Sequence, residues 1–244
     1  MSIQSRVRDE DSFDVAAMDR WLRTQVSDLP DANELPDGLP QVTQFTRGAS
    51  NLTYRLTYGG HDLVLRRPPT GTKAASAHDM GREVHVINHV RDQFPYVPRI
   101  DAYCTDDSVI GSHFYVMEYL DGTILRPESA DALTSDQAHD VGRVYVDRWA
   151  DLHSVDVGRA GLSDWGKGPG YVDRQVSGWS ERYRKARTPD VPDGEKVMKW
   201  LADNRPSDVT ACVIHGDWRL DNMIMDTHSL APGNQPTITG VLDW

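Results

Sequence analysis

The chain has 244 residues, of which 37 are acidic and 26 are basic, so its formal net charge is −11. This balance argues against nucleic acid as the main partner, because proteins that bind phosphate backbones carry a surplus of Lys and Arg. Two cysteines are too few for a disulfide framework or a structural zinc site. The N-terminus is polar and no apolar run is long enough to cross a bilayer, so we expect a cytoplasmic protein without a signal peptide.

The predicted elements begin with a helix that Asp11 or Ser12 could cap, followed by a Pro- and Asp-containing linker over 29–40. Alternating apolar and polar residues predict strands, and Gly59 with Gly60 predicts a tight hairpin between the second and the third of them. The predicted strands are 41–45, 52–58, 61–67, 99–104, 113–119, 211–214, 222–225 and 237–242. The helices predicted after the first are 77–90, 135–153, 171–185 and 193–203.

This order of elements predicts a two-lobed α+β protein. The expected divisions are an N-terminal helix and linker over 1–40, a strand-rich N-lobe over 41–119, and a mainly helical C-lobe over 120–244. Clefts between lobes are favoured ligand sites. On the order of elements alone, a two-domain α+β protein without a functional cleft is the alternative.

The segment "HGDWRLDN" carries the strongest chemical signal. Its His215, Asp217 and Asn222 match the H-x-D-x-x-x-x-N spacing of a kinase catalytic loop, in which the Asp accepts the proton of a substrate hydroxyl and the Asn holds a metal. Further along, "ITGVLDW" is a predicted strand that ends at Asp243. An Asp in that place is typical of a Mg²⁺ ligand, although an Asp after a strand also commonly forms a turn.

A kinase-like site also needs a cation on the third strand and an acid on the next helix, and Arg66 and Glu83 occupy those places. Arg66 would bind phosphates in a different geometry from the usual lysine, because a guanidinium is planar and bidentate. An exposed charge on an edge strand is the alternative for Arg66.

Two further segments are candidates for nucleotide binding. The turn "RGASN" offers backbone N–H groups and the side chains of Ser50 and Asn51 to phosphate oxygens, or it is a plain hairpin turn. The segment "FYVMEYLDG" offers the backbone of Glu118 and Leu120 to an adenine edge, or it is a buried strand that ends in a turn.

Together these segments resemble the aminoglycoside phosphotransferase family, and in particular the branch of kinase-like domains fused to acyl-CoA dehydrogenases. The likeness covers most of the chain from about residue 45. The segments that carry it are "GASNLTYRL", "VLRRPP", "AHDMGREVHVI", "VPR", "YVMEYLDG", "LADLHSVD", "HGDWRLDN" and "GVLDW". The resemblance implies a protein-kinase-like fold, with a small β-rich N-lobe and a mainly helical C-lobe.

The resemblance also implies roles for the site residues, with ATP (or GTP) and Mg²⁺ as cofactors. Asp217 would deprotonate the acceptor hydroxyl, and Asn222 and Asp243 would hold Mg²⁺. Arg66 would contact the nucleotide phosphates and pair with Glu83.

The roles of two residues near Asp217 are less certain from the sequence than its own role. Arg219 would neutralise charge near the γ-phosphate or only extend into solvent. His215 is interpreted as a structural residue that hydrogen-bonds the loop.

Family members continue past the LDW motif, so the chain is expected to be a fragment with a truncated C-lobe. Arg66, Arg67 and Lys73 favour an anionic small-molecule acceptor, such as a hydroxyacyl-CoA, over a polycationic aminoglycoside. An aminoglycoside O-phosphotransferase and a nucleotide-binding pseudokinase without turnover remain alternatives. A metal hydrolase using His215 and Asp217 fits poorly, because no further ligand cluster has metal spacing. The sequence does not indicate the oligomeric state.

Overall fold

The computed structural model describes residues 4–46, 51–69 and 79–244. In chain order its strands are β1 Gln4–Ser5, β2 Gln41–Phe45, β3 Leu52–Tyr58, β4 His61–Arg67, β5 Ile100–Cys104, β6 Phe114–Glu118, β7 Met223–Met225 and β8 Ile238–Val241. Its α-helices are α1 Val15–Leu22, α2 Met80–Val90, α3 Asp107–Ile110, α4 Pro127–Ala130, α5 Ser135–His153, α6 Tyr171–Ala186 and α7 Glu195–Asp203. The predicted α+β class is confirmed, with a sheet-rich part before a mainly helical part.

The first six strands form one antiparallel sheet in the order β1-β2-β3-β4-β6-β5. The predicted hairpin is present, with Tyr58 paired to His61 across the Gly59–Gly60 turn. Both of these glycines have positive φ, which explains why the turn needs glycine. A second, two-stranded sheet pairs β7 with β8.

Strand β4 lies inside the larger sheet and is buried on both of its faces from Leu63 to Arg67. Leu63 and Leu65 belong to a core that includes α1, whereas Val64 belongs to a core that includes α2. Because successive side chains of a strand point to opposite faces, Arg66 lies on the α2 side with Val64. The fold therefore places this arginine in the interior, on the same face as helix α2.

The cap predicted for the first helix is wrong. Asp14 caps α1, since its carboxylate accepts a hydrogen bond of 2.8 Å from the Ala17 N–H. Asp11 is instead buried and accepts a hydrogen bond from the Gln44 side chain at 2.7 Å. The predicted linker over 29–40 contains two short 3-10 turns, and Leu35 within it is buried in the core with α1.

The strand predicted over 211–214 is also wrong, because these residues have no regular secondary structure. An apolar run becomes a strand only when a neighbouring strand supplies hydrogen bonds, and β7 and β8 pair with each other. The remaining predicted strands are confirmed within two residues at each end. The long predicted helices are confirmed to a similar accuracy as α5, α6 and α7. Of the helix predicted over 77–90, residues 80–90 are helical, and residues 77 and 78 lie outside the described residues.

The chain divides into two compact units, one of Met1–Leu152 with His215–Trp244 and one of His153–Ile214. The second unit contains α6 and α7, which a bidentate ion pair between Arg184 and Glu195 joins at 2.8 Å. The division of the chain into segments 1–40, 41–119 and 120–244 stays a prediction. Among the described residues, no helix combines the length and the apolar character that a membrane crossing requires.

Candidate active site

Arg66 is the buried cation around which the first half of the site is built. On the sheet it lies opposite Thr53 of β3 and Tyr115 of β6. Its Nη2 donates a hydrogen bond of 2.8 Å to Asp243 Oδ1, and its Nη1 lies 3.6 Å from Glu83 Oε2. Burial alone would lower the pKa of Arg66, but the surrounding acidic groups outweigh it and leave the pKa raised, so the guanidinium stays charged.

Helix α2 delivers Glu83 to this cation. Asp79 caps the helix by accepting a hydrogen bond of 3.1 Å from the Arg82 N–H. The helix buries residues at spacings of three and four, so Glu83 in its first turn faces inward; the buried set is Met80, Glu83, Val84, Ile87 and Val90. The predicted pairing of Arg66 with Glu83 is therefore present as an ion pair in the structure.

Glu83 has two partners besides Arg66. Its Oε1 accepts a hydrogen bond from Asn51 Nδ2 at 2.8 Å, and its Oε2 accepts one from the Tyr115 hydroxyl at 2.7 Å. Asn51, predicted as a phosphate ligand, is buried and uses its amide nitrogen on the carboxylate. Ser50, its predicted partner, lies outside the described residues.

The catalytic-loop segment forms the second half of the site. Gly216 has φ +86°, a left-handed conformation that favours glycine and turns the chain between His215 and Asp217. The Asp217 N–H donates to His215 Nδ1 at 3.3 Å, so the opposite nitrogen, Nε2, carries the proton and donates to the Leu242 carbonyl at 2.8 Å. Burial lowers the pKa of His215, which keeps the ring neutral. These contacts agree with the interpretation of His215 as a residue that braces the loop.

Asn222 closes the loop. Its Nδ2 donates to the Asp217 backbone carbonyl at 3.0 Å and to Asp217 Oδ2 at 3.1 Å. The backbone carbonyl of Asn222 accepts a hydrogen bond of 2.8 Å from the Leu242 N–H. Leu242 therefore binds both ends of the loop, and the next residue in the chain is Asp243.

Asp243 adopts φ +68°, which is uncommon for a residue other than glycine, although Asp tolerates it better than most. Its carboxylate is 46% exposed and bonds to Arg66. Strained backbone of this kind clusters at functional positions. Leu120 also packs against strand β8, since a Cβ on Gly240 would lie 2.6 Å from Leu120 Cδ1.

The donor set fits Mg²⁺. Asp243 offers a carboxylate and Asn222 offers its amide oxygen, which are the hard oxygen ligands that this ion prefers. Among the described residues, no group of three His, Cys, Asp or Glu side chains is arranged to hold a metal. Such a group is not needed where substrate phosphates and water complete the octahedron.

Two predicted residues have side-chain partners outside the cluster of Arg66, Glu83 and Asp243. Arg219 is exposed and makes a bidentate ion pair with Asp221, at 2.8 and 2.5 Å. The carboxylate of Glu118 accepts hydrogen bonds from the Arg99 N–H at 2.6 Å and from Arg91 at 3.3 Å. Neither contact tests the predicted role of Arg219 or of the Glu118 backbone.

Sequence reasoning missed two tyrosines of the site. Tyr115 lies in the apolar run of β6, and only its register opposite Arg66 reveals it. Tyr145 on α5 donates a hydrogen bond of 2.7 Å to the Trp218 carbonyl, inside the catalytic loop. No short-range pattern marks either hydroxyl, because their partners are distant along the chain.

The site combines a buried cation, an acid that pairs with it, a loop carboxylate and two side chains that offer oxygen atoms, and phosphoryl-transfer sites contain the same kinds of group. The chain is 36% identical over 241 residues to acyl-CoA dehydrogenase family member 11 of Gallus gallus, covering 98% of this chain and 30% of that protein. It is 33% identical over 207 residues to acyl-CoA dehydrogenase family member 10 of Mus musculus, covering 85% of this chain and 19% of that protein. The chain therefore spans less than a third of the length of these relatives.

Solved structures give the same fold. A Ralstonia eutropha structure assigned to the aminoglycoside phosphotransferases matches with a TM-score of 0.79 and 29% identity, over 96% of this chain and 65% of that one. The GDP and kanamycin complex of the phosphotransferase APH(2'')-IIIa matches with a TM-score of 0.66 and 17% identity, over 93% and 71%. The model of the phosphotransferase enzyme family, APH, matches residues 41–244. With the family model covering most of its length, the chain belongs to this phosphotransferase family.

Proposed function

We propose that the chain transfers the γ-phosphate of ATP to a hydroxyl group of a small molecule, with Mg²⁺ as the metal. The observation that carries this proposal is the convergence of Arg66, Glu83 and Asp243, of which Arg66 and Asp243 are 177 residues apart in the chain. Leu242 ties this cluster to the loop that carries Asp217 and Asn222. A cation, a general base and a metal-binding pair are the parts that phosphoryl transfer requires.

In this mechanism the Asp217 carboxylate accepts the proton of the acceptor hydroxyl. The acceptor oxygen forms a bond to the γ-phosphorus, the bond from that phosphorus to the bridging oxygen breaks, and the nucleoside diphosphate leaves. Arg66 orients the phosphates, while Asn222 and Asp243 would hold Mg²⁺. When bound, the metal supplies neutralisation of phosphate charge. His215 holds the loop in place through its two hydrogen bonds.

For the acceptor we favour a hydroxyacyl-CoA. The support comes from the names of the relatives, which are acyl-CoA dehydrogenase family members in which this chain matches a part. Arg67 and Lys73 give less support to an anionic acceptor than the sequence suggests. Arg67 is fully buried, and it donates hydrogen bonds to the backbone carbonyls of Asp11 and Ser12. Lys73 lies outside the described residues.

A transfer assay tests this proposal. The chain is incubated with Mg²⁺, γ-labelled ATP and either hydroxyacyl-CoA thioesters or kanamycin, with Asp217→Asn as the control variant. We expect label on the hydroxyacyl-CoA, dependent on Mg²⁺ and lost in the variant. Label on kanamycin alone would identify an aminoglycoside acceptor, and equal labelling by wild type and Asp217→Asn would contradict the mechanism. Similar solved structures hold GDP or AMP-PNP, so the assay is repeated with GTP in place of ATP. The nucleotide that gives the faster transfer is the phosphate donor.

A nucleotide-binding protein without turnover is the second candidate. The observation that favours it is the 2.8 Å bond between Arg66 and Asp243, which occupies one of the two carboxylate oxygens that Asp243 could offer to a metal. In that case ATP would raise the melting temperature of the chain, and no hydroxyl compound would be phosphorylated.

A further inference from the structure

The carboxylate of Glu83 is held more tightly by two neutral donors than by Arg66. The Tyr115 hydroxyl lies 2.7 Å from Oε2 and Asn51 Nδ2 lies 2.8 Å from Oε1, whereas Arg66 Nη1 is 3.6 Å from Oε2. The closest contact of Arg66 goes to Asp243, at 2.8 Å. The orientation of Glu83 is therefore set by the tyrosine and the asparagine, and the arginine adapts to it.

Tyr115 is placed by the register of the sheet. It lies directly opposite Arg66 in the β4–β6 pair, so both side chains leave the same face and meet below helix α2. The side chain is fully buried. Burial raises the pKa of the Tyr115 phenol and is the largest cause; Arg66 lowers this pKa and Glu83 raises it, each by less. The net pKa is raised, so the hydroxyl remains a donor at any working pH.

The direction of the Arg66 guanidinium depends on its acidic neighbours. Its guanidinium lies between two carboxylates, and its Nε is buried with no hydrogen-bond partner among the described residues. A buried donor without a partner costs free energy unless a ligand satisfies it. If Glu83 were free to turn, the guanidinium could follow either carboxylate and would no longer have one fixed orientation.

The geometry points to Tyr115, together with Asn51, as a positioning residue for the cation that binds the nucleotide phosphates. Tyr115 fixes Glu83, and Glu83 holds Nη1 of the Arg66 guanidinium. The N–H groups of Arg66 that are not directed at Glu83 or Asp243 would then be left for the phosphates. This inference rests on the proposed function, since it assumes that Arg66 binds phosphate. It adds a residue that the kinase-like motifs do not contain.

Two tyrosine-to-phenylalanine variants test the inference as a matched pair. Tyr115→Phe removes the hydroxyl that binds Glu83. Tyr58→Phe removes an equally buried hydroxyl that lies 3.0 Å from the Asp19 carboxylate, on the opposite face of the same sheet. For each protein, calorimetry gives the Kd for Mg·ATP and the Kd for adenosine, which has the same base but no phosphate.

We expect Tyr115→Phe to weaken Mg·ATP binding about tenfold, as loss of a hydrogen bond to a charged group does. Its Kd for adenosine should stay within about twofold of wild type, because adenosine has no phosphate for Arg66 to bind. Tyr58→Phe should leave both constants unchanged. If Tyr115 has a purely structural role, the Kd for Mg·ATP and the Kd for adenosine should rise by the same factor. That result would overturn the inference, and so would an unchanged Kd for Mg·ATP.

Two controls keep the outcomes separate. Wild-type protein that binds no Mg·ATP would overturn the proposed function itself, before any variant is measured. If Tyr115→Phe does not fold, Asn51→Ser removes the amide donor to the other Glu83 oxygen, from a position just before strand β3. The same selective loss of Mg·ATP binding is expected there, and equal loss of adenosine binding would contradict the inference.

Discussion

The two halves of the site are built in different ways. The half around Arg66 and Glu83 is buried and is held by contacts between β4, β6 and α2. The half around Asp217 and Asn222 is a short, partly exposed loop, held by hydrogen bonds within the loop, to Leu242 and from Tyr145. The first half is part of the folding core, whereas the second is attached to it at a few points.

This difference separates stability from chemistry. A change in the buried half removes a partner from a charge that water cannot reach, so it should affect folding and nucleotide binding together. A change in the exposed loop leaves its neighbours solvated, so it should affect the rate with little effect on folding. The predictions below test that separation.

Asp217→Asn should produce the largest effect, on the rate alone. Loss of a general base lowers the rate of transfer about 10²- to 10⁴-fold. The side chain is exposed, so the free energy of unfolding should change by less than about 0.5 kcal/mol. Labelled phosphate transfer and urea denaturation measure the two quantities. A large loss of stability would show that the loop is part of the core after all.

Glu83→Ala should show the opposite pattern. It removes a partner of a buried guanidinium, and breaking a buried ion pair from one side costs about 3 kcal/mol. Asn51 and Tyr115 would also lose their acceptor. We expect a lower urea midpoint together with weaker Mg·ATP binding, and Asp217→Ala is the matched removal of an exposed carboxylate. Equal stability of the two variants would remove the distinction between the halves.

The two halves also differ in how far the sequence could predict them. The loop could be read directly, since Asp217 and Asn222 are five residues apart and their contact is local. Arg66 and Glu83 could be predicted only as a pair implied by a kinase-like pattern. The bond between Arg66 and Asp243 joins residues 177 apart, and no local pattern contains it.

The errors in secondary structure have the same origin. The apolar run 211–214 resembles a strand locally but lacks a regular partner in the fold. Asp11 resembles a helix cap, but the side chain of Gln44 draws it into the interior. A missing partner decides the first case and a distant contact decides the second, and neither can be read from the local sequence. The hairpin of β3 and β4 was predictable because its turn and its pairing are adjacent in sequence.

Arg219→Gln should have an intermediate effect on the rate. Arg219 pairs with the adjacent Asp221 on the exposed loop, and that ion pair holds neither half of the site in place. If the guanidinium moves to the transferred phosphate, its loss should lower the rate about tenfold, as expected for a charge-assisted hydrogen bond. An unchanged rate would show that Arg219 only extends into solvent and does not contact the transferred phosphate. The Kd for Mg·ATP, measured alongside, separates an effect on binding from one on transfer.

A pair of glycine variants gives the smallest effects and tests the loop most directly. Gly216→Ala and Gly142→Ala both add a methyl group with no neighbouring atom within 4 Å, so crowding is absent from both. Gly216 has φ +86°, and a side chain there costs about 1–2 kcal/mol of backbone strain. Gly142 lies in helix α5, where alanine should stabilise by about 0.5–1 kcal/mol. Thermal unfolding should therefore shift in opposite directions. Because the Gly216 strain would be relieved by moving Asp217, the transfer rate should fall in this variant and stay at the wild-type value in Gly142→Ala.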